Sequence, residues 1–242
     1  MKLLTFFGLL LLVAGRPAAA QTARDQAEAR VAYQQANAGT AARTLRAALG
    51  QQAASFLGDG TFQPGALRTY DGRYRPVPGL RYHAALHLLE AQDSVSLDST
   101  HLWPVGSLRG FDLGEAGGTG PDALRRFRPR LVKEGSAGTR REFVEVLTAT
   151  DAGPLLLALL YTAGAPAADG RKGLVPLLLV GNGAAPAEPL RPLVLTQAAV
   201  LRLFGARADD VRTFAGAQRL RFDQPAEVAR MLDHYNRVAV VK

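Results

Sequence analysis

The stretch Ala66-Leu67-Arg68-Thr69-Tyr70-Asp71-Gly72-Arg73-Tyr74-Arg75-Pro76-Val77 decides how this chain is read. Asp71-Gly72 stands between two strand-like runs. A tight hairpin turn needs the positive backbone φ that such a pair supplies. The pair therefore predicts a hairpin of Ala66–Tyr70 and Arg73–Val77 and makes the local pairing antiparallel. Pro76 and Pro78 lack the N–H that a ladder requires, which predicts a second strand that is short or lies on a sheet edge.

The strand pattern continues outward from the hairpin. Leu80–Tyr82, Ala85–Glu90 and Ser94–Leu97 read as short strands, and Val105–Leu113 returns to the sheet with Leu108 and Phe111. After the glycine-rich loop Gly114–Asp122, Leu124–Val132 and Glu142–Thr148 read as strands joined by Gly135-Ser136-Ala137-Gly138. Pro154–Thr162 and Leu174–Val180 are aliphatic runs of strand length, and the turns that flank them favour strand over buried helix. Pro192–Leu195 is the last expected strand. Thr196 then caps a helix over Gln197–Phe204 that Gly205 stops, Asp209–Ala215 forms a second, and Asp223 caps a third with Pro225 in its first turn. On the other side, Thr22–Gln52 places Ala27, Val31, Ala32, Leu45 and Leu49 at helical spacing, with a division at Gly39-Thr40. The expected fold is α+β. An antiparallel β-meander (twisted sheet, sandwich or partial barrel) has an N-terminal helix and about three short C-terminal helices.

A chain of 242 residues suits one large domain with a real core. Lys2 precedes the apolar run Leu3–Val13, and Ala18-Ala19-Ala20 follows it. A basic start, a short apolar run and small residues before Gln21 make a secretory signal sequence. The run is shorter than the ~20 residues a membrane-spanning helix needs. The expected organisation is a signal peptide over 1–20, a helical lead-in over 21–55, a β-rich body over 56–195 and a helical cap over 196–242. The expected location is periplasmic or extracellular, with no transmembrane span after cleavage. Cysteine is absent, so no disulfide, thiolate ligand or cysteine-linked lipid enters the argument. The formal charge is +8, carried almost wholly by arginine, which points either to GC-rich coding or to an anionic partner.

Two sets of residues carry a resemblance. One is Thr69–Pro78 followed by Leu80-Arg81-Tyr82. The other is Leu190–Pro192, Leu203-Phe204, Phe222-Asp223 and His234-Tyr235-Asn236. Together they resemble a group of exported proteins of Bacteroidota in which a β-rich body precedes short C-terminal helices. That group has no assigned activity, so the resemblance implies the architecture and no catalytic residue.

Candidate chemistry is sparse. His83 and His87 are four apart, a ligand spacing on a helix but about 13 Å of separation along a strand. Glu134–Gly138 misses the Gly-x-Ser-x-Gly nucleophile pattern at its first position. Gly114–Gly120 lacks the Lys-Ser/Thr ending of a phosphate loop. Trp103 reads as a core or hairpin-corner ring or as a sugar platform. The arginines of the C-terminal helices suggest a DNA-binding unit, which export excludes. No cofactor and no metal site is expected. The strongest feature is Arg126, Arg128 and Arg130, alternating with Phe127, Pro129 and Leu131, with Arg140 and Arg141 nearby. Period-2 alternation puts three guanidiniums on one face, where their forks suit carboxylate or phosphate. The competing reading is an edge strand that uses charge and proline against aggregation. The expected function is a non-catalytic envelope protein that binds an anionic surface component or a partner protein through these five arginines. The alternatives are an exported hydrolase built on His83, His87, Asp93, Asp98 and His101, or an assembly subunit.

Overall fold

The computed structural model describes residues 17–51, 55–119, 123–133, 138–166 and 172–240. The apolar run of the expected signal sequence, the Ser136 turn and the end of the glycine-rich loop lie outside these residues. Two helices open the described chain, α1 (Pro17–Asn37) and α2 (Gly39–Gln51). Ten strands follow: β1 (Gln63–Arg68), β2 (Tyr74–His83), β3 (Leu88–Gln92), β4 (Thr100–Pro104), β5 (Gly110–Leu113), β6 (Arg125–Lys133), β7 (Thr139–Val146), β8 (Leu156–Pro166), β9 (Lys172–Gly181) and β10 (Arg191–Pro192). Helices α3 (Gln197–Arg202), α4 (Ala208–Ala217) and α5 (Pro225–Val240) close the chain. No helix among the described residues is long and apolar enough to cross a membrane.

All ten strands join one antiparallel sheet in the order β10-β9-β8-β7-β6-β5-β1-β2-β3-β4. It is two meanders welded where β5 pairs with β1. The expected hairpin is present: Thr69 N donates to the Arg73 carbonyl (3.1 Å), and Gly72 takes φ +82°. β2 departs from expectation, because it is ten residues long and lies between β1 and β3. Its prolines fit there because β3 pairs only with Leu80–His83. Pro76 and Pro78 thus fall where β2 has one neighbour, beside a register shift against β1. Of the expected strand Ala85–Glu90 only the second half is strand: Ala85–His87 form a turn, with His87 at φ +48°, before β3 opens at Leu88. The expected strand Ser94–Leu97 is instead the link from β3 to β4.

The sheet curls around two cores. The link Val105–Arg109 between β4 and β5 reaches at most about 20 Å when extended, about what four flat strand spacings need. A 3-10 turn at Val105–Ser107 shortens it, so β1–β4 bend toward β5. Inside the bend lie Leu67, Leu80, Tyr82, Leu89, Phe111, Phe127 and Phe143, with Phe111 stacked on Phe127 at 4.5 Å. The second meander closes on itself. Leu190 N donates to the Leu131 carbonyl (2.8 Å) and Lys133 N to the Leu190 carbonyl (3.0 Å), which returns β10 to the end of β6. This small barrel is filled by Val132, Val144, Val146, Leu156, Leu160, Leu179 and Leu190.

The terminal helices cover what remains. Thr196 accepts from Ala199 N as expected, while the Gln224 carbonyl, not the Asp223 side chain, takes the first N–H groups of α5. Val211, Val228, Met231 and Leu232 pack on Leu157 and Val180. Asn236 fixes this cap, since its amide accepts from Leu155 N (2.9 Å) and donates to the Leu155 carbonyl (2.7 Å). At the other end, α1 lies on β4. Tyr33 meets the Trp103 ring at 4.3 Å, and Asn37 exchanges hydrogen bonds with both backbone groups of Leu102.

A candidate anion-binding cleft

β6 runs between β5 and β7, so it is an inner strand and not the edge that its charges and proline suggested. On one side it pairs with β7 along Arg126–Lys133. On the other, β5 reaches only Arg125–Phe127, and Leu190 engages only from Leu131 onward. Pro129 sits in the gap. Its backbone faces the same side as those of Leu131 and Lys133, and having no N–H it leaves no donor unsatisfied there. The gap opens into a cleft of about 670 Å³. Its walls come from β6 (Arg128, Pro129, Arg130), the β1–β2 turn (Tyr70), the β4–β5 link (Arg109), β7 (Arg141), α1 (Asp25) and the loops at Asp151-Ala152 and Gly183–Ala187. Four arginines and two aspartates line it.

The alternating arginines of β6 do share a face, and all three grip the loop that follows β7. Arg126 donates to the Ala149 (2.8 Å) and Thr148 carbonyls. Arg128, 5% exposed, is neutralised twice, by Asp112 (2.7 Å) and by Asp151 (2.6 Å). Arg130 differs. It is 7% exposed and donates through Nη2 to the carbonyls of Asp151 and Gly183, while its Nε has no partner among the described residues. Carbonyl dipoles orient this guanidinium without cancelling its charge. Burial and the neighbouring Arg128 hold the Arg130 pKa below its ordinary value, against the pull of Asp151. A cation left under-compensated beside a cleft favours an anion there. Gly183 allows the arrangement, because a Cβ would stand 2.7 Å from the Gly153 carbonyl oxygen.

Of the five arginines singled out from the sequence, Arg128, Arg130 and Arg141 line the cleft. Arg126 is absorbed by the loop, and Arg140 pairs with buried Glu142 (2.9 Å). Arg109 and Tyr70 had no local signal, because the β5–β6 pairing brings Arg109, and the β1–β5 pairing Tyr70, beside the middle of β6. The Tyr70 hydroxyl is raised in pKa by burial, partly offset by Arg141.

The histidines lie elsewhere. His83 is sealed against the Phe56 ring. His87 Nδ1 lies 2.7 Å from Glu142 Oε2 and 3.2 Å from the Tyr82 hydroxyl. His101 bridges Asp93 (3.1 Å) and Tyr33 (2.9 Å), and Asp98 is exposed. The five residues of the hydrolase alternative are thus divided among separate settings. No group of three metal-ligating side chains occurs among the described residues.

Asp151 gives the cleft a pH dependence. Burial pushes its carboxyl up, but the hydrogen bond and charge of Arg128, with help from Arg130, outweigh burial and leave its pKa below the usual 3.8. A depressed acid pKa contributes stability that is complete above the unfolded value and is lost as pH falls through the folded one. Asp151→Asn is therefore expected to be less stable than the parent at pH 7. In acid-series denaturation the gap should begin to close as the pH drops below about 4 and should vanish only below the lower pKa of the folded state. A gap unchanged down to pH 2 would show that this pair does not stabilise the fold.

No family of known proteins, no curated protein and no solved structure matches this chain.

Proposed function

We propose that this protein is an exported, non-catalytic binding protein of the cell envelope whose cleft takes a small carboxylate- or phosphate-bearing ligand. The basic, apolar and small-residue pattern of the first twenty residues supports export. One observation carries the binding reading: Arg130 is buried beside the cleft with carbonyls and, among the described residues, no directly paired carboxylate, while Arg109 and Arg141 stand at the more exposed wall. A guanidinium fork receives a carboxylate or phosphate with two parallel hydrogen bonds, and those bonds strengthen where water is excluded. The volume suits a ligand of sugar or small-peptide size.

The test is calorimetric titration of the protein with galacturonate and with inorganic phosphate, at low and high salt. Both rim arginines are exposed, so Arg109→Glu/Arg141→Glu should leave the circular dichroism and melting curve unchanged. The parent is expected to bind at least one of the two anions, more weakly at high salt. The double variant should bind at least about tenfold more weakly, a loss typical of reversing charges at a charged site. A parent that binds neither anion, or a variant that binds as the parent does, would remove the cleft from the account.

A further inference from the structure

We infer that the cleft is one end of a longer groove, and that its ligand is a linear acidic oligosaccharide. The inference rests on the cleft reading above. A second hollow of about 150 Å³ opens over the β1–β2 turn and is lined by Arg68, Thr69, Gly72, Arg73 and Tyr74 together with Arg109, Arg128 and Asp151. The last three also line the first cleft, so the two hollows share a wall and form one track.

The track combines three chemical elements. Arg109, Arg130 and Arg141 supply guanidiniums for anionic groups in the first hollow, Arg109 from the wall it shares with the second; in the second hollow Arg68 is already held through Nε and Nη2 by Asp112, and Arg73 pairs with Asp71. Asp151 places a carboxylate acceptor among them. Asp151 spends Oδ2 on Arg128 Nε, and its side chain remains 37% exposed. Tyr74 adds an aromatic ring, 55% exposed and held under the Arg68 guanidinium at 5.3 Å. A chain of phosphates brings acceptors only, and the ion-paired groups of the second hollow give it little charge to neutralise. A uronic acid chain offers carboxylates to the arginines of the first hollow, hydroxyl groups to Asp151 and to the ion-paired groups of the second, and an apolar ring face to Tyr74. The mixed lining therefore selects a hydroxyl-rich anion, and the track length selects an oligomer.

The experiment is calorimetric titration with galacturonate, its trimer and its hexamer, and with a linear polyphosphate of comparable length, against the parent and Tyr74→Ala. The parent is expected to bind the hexamer at least about tenfold more tightly than the monomer, since a second contact on the same chain acts at high effective concentration. Polyphosphate should bind more weakly than the hexamer. Tyr74→Ala should reduce the hexamer-to-monomer affinity ratio toward one, with an unchanged melting curve. Monomer binding without any gain from length, or polyphosphate binding more tightly than the hexamer, overturns this inference and leaves the cleft reading standing. Binding by neither galacturonate nor its oligomers, with phosphate bound, overturns the saccharide assignment alone. Binding of no anion overturns both.

Discussion

Asp112→Ala is expected to cost about 3–5 kcal/mol of unfolding free energy, read from denaturant melts of variant and parent. Asp112 is 2% exposed and serves two arginines: Oδ1 accepts from Arg128 Nη1 (2.7 Å), and Oδ2 accepts from Arg68 Nη2 (3.0 Å) and Nε (3.2 Å). Its removal leaves the buried Arg128 guanidinium with Asp151 as its one remaining carboxylate among the described residues. The penalty is that of a buried charge deprived of a partner, which exceeds the net worth of the pair itself. Asp209→Ala is the internal control. It breaks the exposed pair with Arg212 on α4 and should cost about 0–1 kcal/mol. A loss under about 1 kcal/mol at Asp112 would mean that Arg128 re-pairs or reaches water, and the cleft floor would not be the rigid element described above.

Phe127→Ala is the second large effect, again about 3–5 kcal/mol. The ring is fully buried, lies flat against Phe111 and stands 5.5 Å from Tyr82. It belongs to the core around which the first meander bends, while the neighbouring residues Arg126 and Arg128 serve the opposite face. One strand therefore packs a core with one set of residues and holds a loop with the other. Phe127→Leu keeps most of the volume and should cost less than about 1.5 kcal/mol. Equal losses for Leu and Ala would show that the aromatic stack, rather than volume, is what this position supplies.

The fold was legible where local chemistry decides it. Asp71-Gly72 fixed a hairpin, the aliphatic runs became β8 and β9, and Thr196 and Pro225 marked helix starts, whereas α3 ends at Arg202, ahead of Gly205, which opens a 3-10 turn. Proline was misleading because a strand's position was inferred from the proline alone. Pro76, Pro78 and Pro129 all sit on inner strands, at places where one neighbour is missing. A pairing gap inside a sheet has the same sequence signature as an edge, and only the partners of both sides distinguish them. The candidate site was half legible for the same reason. Alternation revealed the shared face of Arg126, Arg128 and Arg130, but not which of them another part of the chain would neutralise. Asp112 and Asp151 take Arg128, backbone carbonyls take Arg126, and Arg109 arrives through the pairing of β5 with β6 across the glycine-rich loop, which no local pattern encodes.

The most direct test of the binding account is to follow the arginine Nε–H resonances of the ¹⁵N-labelled protein while galacturonate is added. Arg109, Arg130 and Arg141 would be assigned by single Arg→Lys replacements. The account predicts saturable shifts in these three signals and none in exposed Arg212, which lies on α4 and outside the cleft. Shifts spread evenly over the arginines, or confined to those outside the cleft, would contradict it.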